Sequence, residues 1–314
     1  MKILVTGGTG FIGLGLATHL SENGDNVTVC DNNFRGQYDE VVSKAIETYN
    51  LKFVKCDLTN VDELEKLDKD YDEIYHLAAI NGTENFYKIP EKVLRVNILT
   101  TLNLLDWVVT LEKKPKILFS SSSESYAGTV DKKIPTPEDV TLSIDDVHNP
   151  RFSYAGSKII GELLFVNYAR QHDLDMRIVR YHNIYGPRMG FEHVMPQFSL
   201  RALRGENPFT VNGANNTRAF CFITDACEAT KRVMRSKKAK NQVVNIGNDS
   251  EEIKISDLAK KILILSNSQA DIELRDAPSG STMRRCPDVQ KLKALTGYES
   301  KTGLDGGLSE LVLW

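Results

Sequence analysis

Near its start the chain carries a pattern that few folds can accommodate. Lys2-Ile-Leu-Val-Thr6 is a short apolar run, Gly7-Gly-Thr-Gly-Phe-Ile-Gly13 follows at once, and Leu14 to Asn23 has the spacing of an amphipathic helix stopped by Gly24. Strand, glycine turn and helix in direct succession form the first half of a βαβ unit. Gly8, Gly10 and Gly13 satisfy G-x-G-x-x-G, and Gly7 adds one more glycine. Bare glycine backbone permits the tight turn and lets main chain approach a pyrophosphate, which the unpaired N–H groups at the helix N-terminus can hold. The second strand, Asn26 to Asp31, ends in an acid 18 residues after Gly13 (31 − 13). An Asp there takes both adenosine ribose hydroxyls and repels a 2′-phosphate, so NAD is expected rather than NADP. Arg35, four residues on, is the feature that would favour NADP.

The alternation continues down the chain. Leu51 to Cys56 reads as a strand ending at Asp57, which either reaches the adenine amino group or caps Asp57-Leu58-Thr-Asn. Asp72 to Ala79 is the next strand, and its small terminal residues would let the cofactor lie across the sheet edge. Pro90 to Leu111 is a long helix with proline at its start. Lys116 to Ser120 is a fifth strand, opening into Ser121-Ser-Ser-Glu124-Ser-Tyr-Ala-Gly128. Gly128 to about Pro150 lacks periodicity, and a loop this long in a compact enzyme is expected to be a lid or wall. A helix from Tyr154 to about His172 and the strand Met176 to Tyr181 follow. The expected fold class is therefore α/β, a doubly wound parallel sheet of the Rossmann type with its ligand at the carboxyl ends of the strands. After Tyr181 the elements become shorter and mixed. The expected division is a cofactor domain over 1–181 and a smaller mixed α/β substrate domain over 182–314. About 224–247 would return to the large sheet.

Tyr154 and Lys158 stand four apart, on one face of that helix. Ionising a tyrosine at pH 7 costs roughly 4 kcal/mol, and a fixed cation about 4 Å away contributes on the order of 4 kcal/mol. The pair is thus expected to make a tyrosinate base usable near neutral pH. Gly156 and Gly161 on the same helix imply close backbone approach there.

Composition narrows the classes further. With 39 basic and 42 acidic residues the formal net charge is −3, so there is no global field for nucleic acid, and an anionic ligand needs local donors. The five cysteines form no C-x-x-C and the six histidines have no metal-ligand spacing, which argues against a metal centre. The N-terminus runs straight into a strand and no apolar run approaches about 18 residues. A cytoplasmic protein without a membrane segment is expected.

Taken together, Thr6 to Gly13, Asp31, His76-Leu77-Ala78-Ala79, Asn97, Ser121-Ser-Ser-Glu124, Tyr154-x-x-x-Lys158, Asn183-Ile-Tyr-Gly-Pro-Arg188 and Thr217-Arg218 resemble the extended short-chain dehydrogenase/reductase family. That family comprises nucleotide-sugar epimerases, dehydratases and decarboxylases, and the motifs fall in the family order along nearly the whole chain. The resemblance implies NAD held by Gly7, Gly10, Phe11, Ile12, Gly13, Asp31, Asn32, Asp57, Leu58, Leu77, Ala78, Ala79, Asn97, Tyr154 and Lys158. It implies a nucleotide-diphosphate sugar, UDP-linked by preference, with its diphosphate held by Asn183, Arg188, Arg218 and one of Arg284 or Arg285. Tyr154 would take the proton of the sugar's C4 hydroxyl while a hydride leaves C4, with Ser122 bridging the two. Lys158 would lower the Tyr154 pKa and bond the nicotinamide ribose. A homodimer is implied, built on the Pro90–Leu111 and Tyr154 helices.

Glu124 bears on the outcome. Simple 4-epimerases of the family usually carry a non-ionisable residue there, and 4,6-dehydratases mostly show Thr-Asp-Glu. Ser123-Glu124 resembles the UDP-glucuronate decarboxylases, although GDP-mannose 4,6-dehydratases show Ser-Glu too. In the decarboxylase reading Glu124, with Ser123 and Arg218, manages the proton returned to C5. A 4,6-dehydratase, a 4-epimerase and a non-catalytic NAD-binding regulator remain the alternatives. Ala127 stands where the family normally has Gly, Ser122 where decarboxylases favour Thr, and 191–197 departs from the usual decarboxylase wording.

Overall fold

The computed structural model describes residues 1–129, 133–277 and 282–314. Its centre is a parallel sheet built from β1 (Lys2–Thr6), β2 (Asn26–Asp31), β3 (Lys52–Lys55), β4 (Glu73–His76), β5 (Lys116–Ser122), β6 (Met176–Tyr181) and the strand Val243–Ile246. From one edge the order is Val243–Ile246, β6, β5, β4, β1, β2, β3. The chain winds outward from β1 to β2 and β3, then crosses back to β4 on the other side. That reversal opens a crevice at the carboxyl ends of β1 and β4, where such sheets bind ligands. Register runs Thr6↔His76 across it.

The strands are apolar because both faces are covered. Ile3 and Val5 of β1 join one core with helix α1 (Phe11–Glu22) and the helix Ile223–Arg235. Leu4 points the other way, into a core with Leu104, Leu105 and Val108 of α4 (Pro90–Thr110) and Phe165 of α5 (Phe152–His172). Each such side chain fully buried contributes roughly 1.5–3 kcal/mol. By length and composition α4 could cross a membrane. Here it lays Val93, Leu104, Leu105 and Val108 against the rest of the protein.

Gly161 explains how closely α5 approaches β5. A Cβ there would fall within the Phe119 ring, 2.8 Å from Cε1. Gly156 does not share this role, since a Cβ there would meet only Leu94 Cδ1 at 4.0 Å. Beyond β6 the sheets are small and mixed: Thr217–Ala219 pairs antiparallel with Glu252–Lys254 and parallel with Arg284–Arg285. Thr136 and Glu138, in the long segment before α5, are pinned to the sheet edge, because Asn245 Nδ2 donates to Thr136 O (3.0 Å) and Asn245 N to Glu138 Oε1 (2.8 Å).

Two buried histidines sit just beneath the crevice. His76, at the end of β4, lies between Thr6 Oγ1 (2.8 Å) and Thr101 Oγ1 (3.1 Å), and His182 bonds Asn245 Oδ1 at 3.0 Å. Burial pushes each down to about 3. The folded state therefore binds fewer protons than the unfolded chain below pH 6.5, and stability falls as pH drops through that range. From pH 7 to 5 each histidine should cost about 2 kcal/mol, readable as a lower urea midpoint. An unchanged midpoint would show that these rings are protonated in the fold.

Candidate active site

The glycine turn is as tight as the motif requires. Gly7 has φ +69°, and a Cβ on it would lie 2.8 Å from Ala78 N, so β4's exit strand packs directly on it. A Cβ on Gly13 would overlap the Gly7 carbonyl oxygen and sit 2.9 Å from its carbon. Helix α1 begins at Phe11 with Gly10 as an N-cap lacking any side-chain cap, so its first N–H groups are open to an anion. Phe11 and Ile12 lie in that first turn and pack partly buried on the core. Leu77 N and Ala78 N both donate to Thr6 Oγ1 (3.2 Å), which ties β1 to the end of β4, with Ala79 half-buried after them. This cradle fits the pyrophosphate of NAD.

At the end of β2, Asp31 accepts from Asn33 N (2.8 Å) and Thr9 N (3.2 Å); burial raises its pKa against those bonds. Arg35 turns away from it to pair with Glu192 at 2.6 Å, so the guanidinium that would favour NADP is engaged elsewhere. Asp57 acts as the turn cap: Oδ1 accepts from Thr59 N and Oγ1, while Oδ2 accepts from Asn32 Nδ2 at 3.1 Å. Leu58 beside it is buried and its carbonyl accepts from Asn103. Asn97 departs from expectation. Its Oδ1 accepts from Ile80 N (2.7 Å) and its Nδ2 donates to Ile80 O (3.1 Å) and Ser157 Oγ (3.0 Å). With both amide hydrogens committed, Asn97 ties the β4 exit to α5 instead of donating to the cofactor.

The catalytic candidates come together at the end of β5 and the start of α5. Tyr154 is 6% exposed and stacks on Phe86 with ring centroids 5.0 Å apart. Ser122 is its hydroxyl neighbour and also accepts from Glu124 N at 3.2 Å. Ser123 is buried between them in the chain. Lys158 is 3% exposed, donates to Ser120 O at 2.7 Å and lies 5.6 Å from the Tyr154 ring centroid. The expected depression of the Tyr154 pKa by Lys158 is not found. Burial pushes Tyr154 well above 10, opposed only by the Ser122 bond and the Arg35 charge. Burial also pushes Lys158 down to about 7, with Glu162 pulling it back up. Two desolvated groups each favour their neutral form, and here that outweighs their mutual attraction.

Glu124 is the most densely charged point of the site. Arg285 Nη1 donates to its Oε1 at 2.7 Å, and Arg151 Nη2 stands 3.8 Å from Oε2. Burial would raise its pKa, but Arg285, Arg151 and Arg218 together hold it below the ordinary carboxylate value. Ala127, where glycine was expected, has φ +40°, in the region that favours glycine, and so carries strain of about 1–2 kcal/mol close to the site.

Behind β5, Arg180 binds Glu162 through Nε (2.9 Å) and Nη2 (2.7 Å), and Glu162 Oε1 accepts from Ser121 Oγ at 2.5 Å. This pair escaped the motif reading, although Glu162 lies one helical turn beyond Lys158.

The expected diphosphate ligands divide. Arg188 is committed to the cofactor side: it bonds Asp39 Oδ2 (2.8 Å), Thr9 O (3.1 Å) and Gln37 O (3.2 Å). Its fork is spent on clamping the loop after β2, which corrects its assignment to the substrate. Arg284 is also diverted, half exposed and paired with Glu252 at 2.7 Å. Its neighbour Arg285 faces the other side of the strand and reaches Glu124 instead. Arg218 donates to Thr217 O (2.7 Å) and Thr282 O (2.8 Å), and Asn183 Nδ2 to Ala219 O (2.9 Å).

Residues 3–247 match the profile of the NAD-dependent epimerase/dehydratase family. The chain belongs to that family. It is 33% identical to the UDP-N-acetyl-alpha-D-glucosaminuronate decarboxylase of Bacillus cytotoxicus, covering 100% of this chain and 97% of that protein. It is 34% identical to UDP-glucuronic acid decarboxylase 5 of Arabidopsis thaliana, over 98% of this chain and 87% of that one. Among solved structures, the UDP-glucose 4-epimerase of Thermotoga maritima, crystallised with UDP-glucose, superposes with TM-score 0.88 at 28% identity, over 100% and 98% of the two chains. As a member of the epimerase/dehydratase family this enzyme uses NAD, and the glycine cradle and Asp31 are the parts of the fold shaped for it.

Proposed function

We propose that this enzyme is a decarboxylase of a UDP-linked uronate, of the UDP-glucuronate decarboxylase type. The observation that carries the reading is Glu124, an ionised carboxylate beside Ser122 and Tyr154, gripped by Arg285 at 2.7 Å. An enzyme that only inverts C4 of a neutral sugar has no need of a charged acid and arginine where C5 would lie. The two decarboxylases to which the chain is similar act on uronates by name, which supports the same choice.

NAD, when bound, supplies the acceptor for the C4 hydride and later returns it. Tyr154, hydrogen-bonded to Ser122, acts as the base in its ionised form, which the positive charge of a bound nicotinamide ring would favour against the cost of burial, and takes the proton of the C4 hydroxyl. With a ketone at C4 the C6 carboxylate is that of a β-keto acid. The C5–C6 bond breaks, carbon dioxide leaves, and the electron pair delocalises into the C4 carbonyl. Glu124, Ser123 and Arg285 control the proton that then arrives at C5. In this account residues 1–181 carry the cofactor and the catalytic groups, while 182–314 hold most of the nucleotide sugar. Incubation with UDP-glucuronate should release carbon dioxide and yield a UDP-pentose; absence of turnover on that substrate would overturn the decarboxylase. A 4,6-dehydratase would instead release water, and an epimerase would yield an isomer of equal mass.

The same reading places the enzyme in the cytoplasm as a homodimer. Leu94, Ile160 and Leu163 are exposed apolar side chains on α4 and α5, and two copies of that helix pair would cover them. Sedimentation should give twice the chain mass at micromolar concentration, and a monomer would refute the dimer. The five cysteines are free and buried, which suits a reducing compartment.

A further inference from the structure

Three guanidinium groups act on a single carboxylate in this site. Arg285 bonds Glu124 directly, Arg218 is near enough for its charge to be felt there, and Arg151 stands 3.8 Å from Oε2. One anion among three cations leaves the cleft strongly positive, and the three are not equally occupied. Arg218 spends donors on the carbonyls of Thr217, Thr282 and Met283. Arg285 keeps Nη1 on Glu124, and its buried Nε has no hydrogen-bond partner among the described residues. The Arg151 guanidinium makes no hydrogen bond among the described residues. Nor does its side chain cap the helix, although the residue immediately precedes α5. Its fork of donors is therefore available beside Glu124.

Position says what it is available for. Arg151 lies three residues before Tyr154, so both rise on the same side of the start of α5. A sugar whose C4 oxygen reaches Tyr154 has its C6 group only two bonds beyond C4, within reach of the Glu124 and Arg151 side of the cleft. A C6 carboxylate entering there would sit next to Glu124 and be repelled by it. Surplus guanidinium charge is what makes a second carboxylate tolerable, and the planar fork of arginine matches its two oxygens.

We propose that Arg151 is the specificity residue that recognises the C6 carboxylate of the sugar and so selects an acidic over a neutral nucleotide sugar. The assignment rests on the uronate decarboxylase reading above. The test measures binding of UDP-glucuronate and of UDP-glucose to the NAD-loaded wild type, Arg151→Gln and Arg151→Lys by calorimetry. Wild type should prefer UDP-glucuronate. Arg151→Gln should weaken UDP-glucuronate by roughly 30-fold, the scale of one charged hydrogen-bonded contact, while UDP-glucose changes by less than about 3-fold. Arg151→Lys should recover part of the loss, because it keeps the charge without the fork. Equal losses for both ligands would mean a purely structural arginine, and no loss for either would remove it from the site; each overturns the assignment. A wild type that prefers UDP-glucuronate while Arg151→Gln keeps that preference refutes the arginine alone. A wild type without the preference refutes the uronate reading along with it.

Discussion

Tyr154→Phe is expected to lower turnover by on the order of a thousandfold while leaving NAD binding nearly unchanged. The ring is packed face to face on Phe86 and its helix is fixed by Asn97 and Ser157, so the phenylalanine should keep the fold. What it lacks is the phenol oxygen beside Ser122 that, once ionised, takes the C4 proton, and a positioned general base is worth roughly 10²- to 10⁴-fold. The glycine cradle is at the far side of the crevice and is untouched. Calorimetric titration with NAD, beside a turnover assay, separates the two effects. Undiminished turnover would remove Tyr154 as the base. A wild type that binds NAD and turns over no nucleotide sugar would favour the regulator reading.

Gly13→Ala should be the most damaging single methyl group in the molecule. Its Cβ would overlap the Gly7 carbonyl oxygen and stand 3.0 Å from Gly8 Cα, and both obstacles are backbone. Relief requires α1 to back away from the turn, which opens the cradle and disturbs the core formed by Leu14, Leu16 and Leu20. Overpacking of this kind costs about 1–3 kcal/mol, and NAD affinity should fall at least 100-fold because the N–H groups no longer converge. Gly306→Ala is the matched control. Nothing lies within 4 Å of its Cβ, and an alanine there, in the C-terminal helix Leu304–Leu313, should be neutral or slightly stabilising. Thermal unfolding and NAD titration of the two variants read the contrast directly, and wild-type affinity in Gly13→Ala would contradict the cradle.

The parts of this enzyme legible before any coordinates were those written in neighbouring residues. Strand, glycine turn and helix α1 are contiguous, Asp31 ends the next strand, and Tyr154 and Lys158 share a helix face. The doubly wound sheet follows from the same alternation. What escaped reading depends on contacts across the chain. Arg188 was assigned to a diphosphate by its motif, yet Asp39, 149 positions away, claims it. Arg284 and Arg285 are indistinguishable in a line of text, and strand pleating sends only one of them to Glu124, 161 positions away. Asn97 looked like a cofactor ligand because it belongs to the motif set, but the Ile80 main chain and Ser157 take both of its amide hydrogens. The protonation of Tyr154 was misjudged for a different reason. Spacing places an ammonium near a phenol, but only the packed core shows that both are dry. Gly156 and Gly161 carry the same letter, and only the position of Phe119 separates them.

The central claim is that C4 oxidation serves to release the C6 carboxylate and that the enzyme then protonates C5. Running the reaction on UDP-glucuronate in heavy water and taking the product mass tests it in one measurement. The account predicts a UDP-pentose lighter by carbon dioxide and carrying one non-exchangeable deuterium at C5, with no net change in NAD. A product of unchanged carbon count, whether an isomer of the substrate or one that has lost water, would contradict it.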